Sequence, residues 1–396
     1  MTGMKEYILS TSAELSEEVI RIRRHLHTYP ELSFEEKNTS AYICDWLEKN
    51  SIPYKKEIAG TGIIATIKGK DDGKKVIALR AELDALPIHE KNAAGYCSVN
   101  EGKMHACGHD GHMAMLMGTA LLLNKIKDRF AGTILLIFQP GEEKSPGGAR
   151  LIIESGALSD PKPDLIISQH ILPELDTGKV GYKAGRYMAS CDELYFTITG
   201  RGGHAALPGL TTDQILIASH LVVRLKDKIS LLQAENGIPT VLGIGRISGE
   251  GATNVIPEKV YIAGTFRTFN EKWRAEGLGE IKNICAETAR EFGVMIDANI
   301  AEGYPVLVND EELTSKAVAL SGELLGKENV EIFDTRMSSD DFSFYSSLAP
   351  SLYYRVGIHK KGSEIKKLHT ADFDLDEEGL KTGVANLSWL VWNFLA

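Results

Sequence analysis

The run His105-Ala106-Cys107-Gly108-His109-Asp110-Gly111-His112 places three histidines and a cysteine within eight residues. A thiolate and an imidazole two residues apart, on a turn with a glycine between them, can converge on one cation. The run leads into an apolar segment that reads as a helix, whose N-terminal dipole is expected to lower the Cys107 thiol. A polar turn capping a helix over a buried thiol would not call for so many ligand-type side chains. No second Cys-x-x-Cys pair closes a structural zinc site. Phe138-Gln139-Pro140-Gly141-Glu142-Glu143 ends an apolar run. Adjacent carboxylates in extended chain point in different directions, so one can bind a metal while its neighbour acts as a base. Taken alone, a solvated Glu-Glu turn fits as well. Gln169-His170 and Leu368-His369-Thr370 each place a histidine at the expected mouth of a strand or turn. The four segments together suit metal-assisted hydrolysis.

Two further segments offer substrate contacts. Thr199-Gly200-Arg201-Gly202-Gly203-His204 carries a histidine on a glycine-rich turn, with a spacing that is no phosphate-loop or dinucleotide fingerprint. Asn254 offers an amide donor, and Arg267 a fork suited to a carboxylate, although an exposed strand arginine is an equal reading of Arg267.

The elements that must position these residues follow from periodicity. Two amphipathic helices occupy the first ~50 residues, one from Ser16 through Leu26 and one over 35–50. Apolar runs at 62–67, 75–79, 133–138 and 165–168 read as strands, alternating with helices over 111–126 and 148–155. Continuous apolar strands between helices imply a largely buried sheet. Past residue 187 the strands alternate as half-exposed ones do, in the order β-α-β-β-α-β of a split βαβ unit, with helices over 212–228 and 271–292 and strands near 241–247, 255–266 and 294–300. The α/β pattern then resumes and ends in a helix carrying Trp389 and Trp392. This predicts a mixed-sheet α/β domain over 1–186 and 301–396, interrupted by an inserted ferredoxin-like α+β domain over 187–300.

Length and composition agree. The chain has 396 residues, 43% hydrophobic and 25% charged, which suits two folded domains. Its formal net charge of −10 argues against a nucleic-acid or anionic-membrane partner. Five scattered cysteines, with no basic-then-apolar N-terminal run, point to a reducing, cytoplasmic setting.

The residues named above, with Arg24-His25-Leu26-His27, Pro30-Glu31-Leu32-Ser33-Phe34, Arg80-Ala81-Glu82-Leu83-Asp84-Ala85-Leu86-Pro87 and Asp341-Phe342-Ser343, resemble the two-metal amidohydrolases. That branch holds hippurate hydrolase, N-acyl-amino-acid deacylases (aminoacylases) and indole-acetyl-amino-acid hydrolases. The resemblance runs over nearly the whole chain in the right order. It implies a pair of divalent ions (Zn, Mn, Co or Ni) held by Cys107, His109, Glu143, His170 and His369, with Glu142 as general base and acid. It further implies that His204 reaches the site of a second subunit and steadies the oxyanion. The inserted domain is then a dimerisation lid, and Asn254 and Arg267 contact the carboxylate of an N-acyl amino acid. A dipeptidase or carboxypeptidase with the same metals, or a lapsed ligand-binding homodimer, are the alternatives. The wider superfamily has His-x-Asp where this chain has Arg80-Ala81-Glu82, and Arg80 cannot ligate.

Overall fold

A computed structural model describes residues 2–71 and 75–395. The chain divides into two compact units, the larger comprising Met1–Gly185, Val308–Asp334 and Phe344–Ala396, the smaller Arg186–Leu307 with Thr335–Ser343.

The larger unit is built on an eight-stranded mixed sheet. Its strands lie in the order Tyr54–Ile58, Gly62–Lys68, Thr133–Gln139, Val76–Glu82, Leu165–Asp176, Ser351–His359, Val180–Tyr182, Val330–Ile332. The middle four pair in parallel, and both Val76–Glu82 and Thr133–Gln139 are buried along their whole length. Apolar side chains on both faces of those runs explain this, as in strands of a covered parallel sheet. The helix His109–Lys125 is buried almost all round and packs on the helices Ser16–Thr28 and Glu378–Leu395. Its predecessor in sequence, the metal-type run, is thereby delivered to the carboxyl ends of the parallel strands, where open α/β sheets carry their sites.

Three elements of the larger unit and one of the smaller depart from the sequence expectation, the last being the strand near 255–266, which is split into Val255–Ile256, paired with Gly203–His204, and Lys259–Thr268. A helix Thr2–Glu14 precedes the two anticipated ones; its apolar residues show little helical periodicity. Tyr54–Ile58, with Lys55, Lys56 and Glu57 exposed, has no apolar run to announce it and forms the edge strand, where charge is tolerated. Leu165–Asp176 runs well past Ser168, so His170 sits within the strand instead of at its end. Pairing with Val76–Glu82 stops at Ser168, but pairing with Ser351–His359 continues on the other side, His170 opposite Arg355.

The smaller unit has a four-stranded antiparallel sheet in the order Thr240–Ser248, Lys259–Thr268, Cys191–Thr199, Met295–Tyr304, with the helices Gln214–Asn236 and Glu271–Phe292. This is the ferredoxin-like arrangement that the half-exposed strands imply. Both helices are capped as their sequences suggest. Asp213 and Asn270 accept from the N–H groups of Leu216 and Trp273, and Gly237 and Gly293 close the C-termini in left-handed conformation. Leu194, Phe196 and Ile198 pack with Leu221, Leu225 and Ile281 in a separate core. Among the described residues, no helix is long and apolar enough to cross a membrane.

Candidate metal centre

The metal-type residues converge in the larger unit. Ligand atoms of Cys107, His109 and His170 lie within 4.8 Å of one another, as do those of Cys107, Glu143 and His369, and those of His109, Glu142 and Glu143. Cys107 belongs to the first two groups. Its Sγ is 3.5 Å from His170 Nε2, while Glu143 Oε1 is 3.3 Å from His369 Nε2 and 3.9 Å from His109 Nε2.

Glycine makes the approach of Cys107 possible. Gly108 has φ of +81°, and a Cβ there would stand 2.2 Å from Ile171 Cδ1, so a side chain would push the Cys107 turn off the His170 strand. Gly141, with φ of +56°, does the same before Glu142: a Cβ would meet the Phe34 ring at 2.4 Å. The turn is held from behind by Glu36, which accepts from the Gly141 N–H at 2.8 Å. His369 itself adopts φ of +61°, uncommon for a side-chain-bearing residue, and its N–H donates to the Ala106 carbonyl at 2.8 Å. That bond ties the last histidine to the Cys107 turn.

The ring nitrogens are assigned by their partners. A carbonyl only accepts, so His109 Nδ1, 2.8 Å from the Asp84 carbonyl, carries the proton, and so does His170 Nδ1, 2.7 Å from the Ile171 carbonyl. Nε2 is therefore the nitrogen that each ring turns to the cluster, the arrangement in which metal-binding histidines are oriented by a backbone or carboxylate acceptor. Glu143 Oε1 is buried and has no hydrogen-bond partner among the described residues. An unpartnered carboxylate oxygen, a buried thiol and two Nε2 atoms brought together are a donor set that fits a divalent cation once it has displaced their protons.

Electrostatics agree. Burial pushes the Cys107 thiol up to about 12, with the Glu143 carboxylate adding to it. The expected lowering by the helix N-terminus is overridden, because the thiol is wholly enclosed. Burial alone would depress His109, but Cys107 and Asp84 outweigh it and hold the ring well above its ordinary value. Burial, then Arg355 and His112, pull His170 well below it. A cation bound here would displace protons from the thiol and from His109.

Sequence reasoning assigns no role to three residues that shape this centre. Asp84 Oδ2 accepts from the Glu143 N–H at 2.9 Å and from Ser33 Oγ at 2.7 Å. Glu82, with Arg80 against one oxygen, takes His112 Nδ1 on the other at 2.8 Å. A carboxylate two residues past an arginine, at the end of an otherwise apolar run, is the available signal. Of the three histidines in the run, His109 joins the ligand groups above, and His112, whose ligand atom also lies within 4.8 Å of those of Glu82 and His109, has both nitrogens occupied by Glu82 and the Ile171 N–H. His105 is enclosed with neither nitrogen partnered among the described residues, pushed down to about 3 by burial.

The other candidates lie in the smaller unit. Gly203–His204 pairs with Val255–Ile256 in a two-stranded ribbon, and the Ala205 N–H donates to the Asn254 carbonyl at 3.0 Å. The structure thus brings His204 and Asn254 together, both exposed. Arg267 is half-buried on Lys259–Thr268, with one NH group on the Met337 carbonyl at 3.0 Å.

Comparison with known proteins gives the family of the chain. Residues 78–393 match peptidase family M20/M25/M40. N-acetyl-L-cysteine deacetylase of Bacillus subtilis (strain 168) is 38% identical over 346 residues, 87% of this chain and 81% of that protein. IAA-amino acid hydrolase ILR1-like 4 of Arabidopsis thaliana is 36% identical over 372 residues, 93% of this chain and 83% of that one. The crystal structure of the Bacillus subtilis YXEP protein, described as a dinuclear metal binding peptidase from the M20 family, superposes with a TM-score of 0.82 at 32% identity, covering 97% of this chain and 99% of that one. This chain belongs to peptidase family M20/M25/M40.

Proposed function

We propose that this protein hydrolyses the amide bond of N-acyl amino acids, such as N-acetyl or N-benzoyl amino acids, to a carboxylate and a free amino acid. It is a metal-dependent amidohydrolase of its family; the acylated amino acid is the step beyond. The observation that carries the reading is the convergence of Cys107, His109, Glu143, His170 and His369 beside Glu142. These five side chains would hold two divalent ions, and relatives named for deacetylating N-acetylcysteine and for hydrolysing IAA-amino acids support the substrate class.

When bound, the ions bring the pKa of water toward neutrality and polarise the scissile carbonyl. The remaining work falls to side chains. Glu142, only 7% exposed, takes the proton of the attacking water and returns it to the leaving nitrogen. In a homodimer, His204 of one copy donates to the oxyanion in the site of the other, which suits a histidine standing exposed on a ribbon. Asn254 and Arg267 bind the amino-acid carboxylate, the guanidinium fork matching its two oxygens. A thiol among the ligands fits the reducing cytoplasm.

The test is amine release from N-acetyl and N-benzoyl amino acids and simple dipeptides, after chelation and after adding back Mn, Co, Ni or Zn. Metal-restored cleavage of the blocked amino acids is expected. Cleavage of free dipeptides alone would replace this reading with a dipeptidase, and silence with metal bound would remove the hydrolytic reading.

A further inference from the structure

His112 is fully enclosed, one turn beyond His109 on the same helix face, with its ring centroid 4.4 Å from that of His170. Two bonds fix it. The Ile171 N–H donates to His112 Nε2 at 3.0 Å, and His112 Nδ1 meets Glu82 Oε2 at 2.8 Å. An amide N–H cannot accept, so Nε2 is bare, and the proton must lie on Nδ1 and point to the carboxylate. Glu82 cannot turn away, because Arg80 engages its other oxygen and is itself anchored through Nε to Gln139 Oε1 at 2.9 Å.

The residue held by His112 is the one that holds His170. Ile171 gives its N–H to His112, and its carbonyl accepts from His170 Nδ1 at 2.7 Å. The chain of contacts therefore runs from Arg80 through Glu82, His112 and the Ile171 backbone to His170, and ends on the Nε2 that faces Cys107 Sγ. This route gives a task to the Arg80-Ala81-Glu82 strand end, whose arginine cannot ligate. It also explains a histidine inside the metal-type run whose two ring nitrogens are already occupied.

We propose that His112 is a positioning residue for the metal centre, which by holding the Ile171 backbone keeps the Nε2 lone pair of His170 directed at the ligand cluster. The proposal rests on His170 being a ligand, and the experiment separates the two.

The full-length variants H112Q and H112N are compared with the wild type for Co(II) bound per chain after dialysis and for Co(II) affinity, with H170A alongside. The glutamine oxygen reaches the place of Nε2 and can still accept from Ile171. The shorter asparagine reaches only the place of Nδ1, keeping a donor for Glu82 and abandoning Ile171. H112Q is expected to retain the wild-type affinity, and H112N to bind about 10- to 100-fold more weakly. A merely structural histidine would lower the melting temperature of the metal-free variants without separating their affinities. If H170A keeps full metal content, the ligand reading fails. If H170A loses metal but H112Q and H112N bind alike, or H112N binds more tightly, the positioning proposal fails alone. A measurement without substitution guards against misfolded variants: histidine ¹⁵N NMR of the wild type must show His112 protonated on Nδ1 and bare on Nε2. An Nε2–H ring or an imidazolium overturns the proposal.

Discussion

The two units hold their candidate residues in opposite ways. In the larger one, His109 and His170 are buried and each ring is fixed by a backbone carbonyl, while the Glu143 N–H is held by Asp84. In the smaller one, His204 and Asn254 stand exposed on a ribbon of two-residue strands, and the buried charges lie elsewhere. Asp192, fully enclosed, takes Arg274 by two bonds of 2.8 and 2.6 Å, and its Oδ1 also accepts the Gly303 N–H at 3.1 Å. The difference teaches where preorganisation is needed. Side chains that must share a cation have to be aimed before it arrives, and buried polar contacts do the aiming. On the proposed reading, side chains that meet a substrate or a second copy are completed by that encounter, and the buried charge of their unit holds its fold instead.

The strongest way to break this division is through the base. Glu142→Gln is expected to cut turnover by about 10²–10⁴-fold, the range for general acid–base groups, with metal content unchanged. Near-normal turnover in a fully loaded variant would remove Glu142 from the mechanism. In the smaller unit the largest effect should be on stability. Arg274→Ala leaves Asp192 buried without its cation, at a cost of about 3–5 kcal/mol by urea unfolding. The Co(II) affinity of the larger unit should not change. A loss of metal affinity there would show that the two kinds of buried charge are not separate.

Much of this contrast is legible in the sequence. Continuous apolar runs such as Thr133–Gln139 announce a doubly covered sheet, and the half-exposed alternation of Cys191–Thr199 announces the change of architecture. The ligand-type residues are legible because histidine, cysteine and paired glutamates at strand ends are unusual company. What the sequence conceals is support. Asp84, Glu82 and His112 act through partners far along the chain, such as Glu143 and Ile171, and no local spacing encodes those contacts. The strand through His170 was hidden for a related reason: its second half is sustained by pairing with Ser351–His359, not by its own apolar pattern. Tyr54–Ile58 was hidden because an edge strand can be charged.

His204→Ala sharpens the comparison from the exposed side. Loss of one oxyanion donor is expected to lower kcat by about 10²–10³-fold. Melting temperature and metal content should stay at wild-type values, because the side chain is exposed. Loss of metal would make His204 a ligand and erase the distinction between the regions.

The smallest effect should come from the polar network behind the metal-type run, and it carries a pH signature. His27 lies between Asp110, at 2.7 Å, and Glu90, at 3.2 Å. Burial would raise Glu90, but His27, the Ser98 N–H and Asn92 outweigh it and bring its carboxyl down to about 2. Burial would lower His27, but the Asp110 carboxylate and the bonds to Asp110 and Glu90 prevail and raise it. The two shifts act in opposite directions of pH. A depressed carboxyl stabilises the fold above its unfolded pKa of about 4.3, and that contribution is lost as pH falls toward the folded value. A raised imidazole stabilises fully below its unfolded pKa of about 6.5, and its contribution fades as pH rises through the higher folded value. Both partners are fully charged only in between. The difference in urea midpoint between wild type and Glu90→Gln should therefore be widest from about pH 4.5 to 6.5 and narrow on either side. The Arg274–Asp192 pair offers no alkaline limb, since a guanidinium does not titrate in that range. A gap for Glu90→Gln that shows no narrowing at all on the alkaline side would mean that His27 is not its charged partner, and the His27 imidazolium would then be held by Asp110 without Glu90.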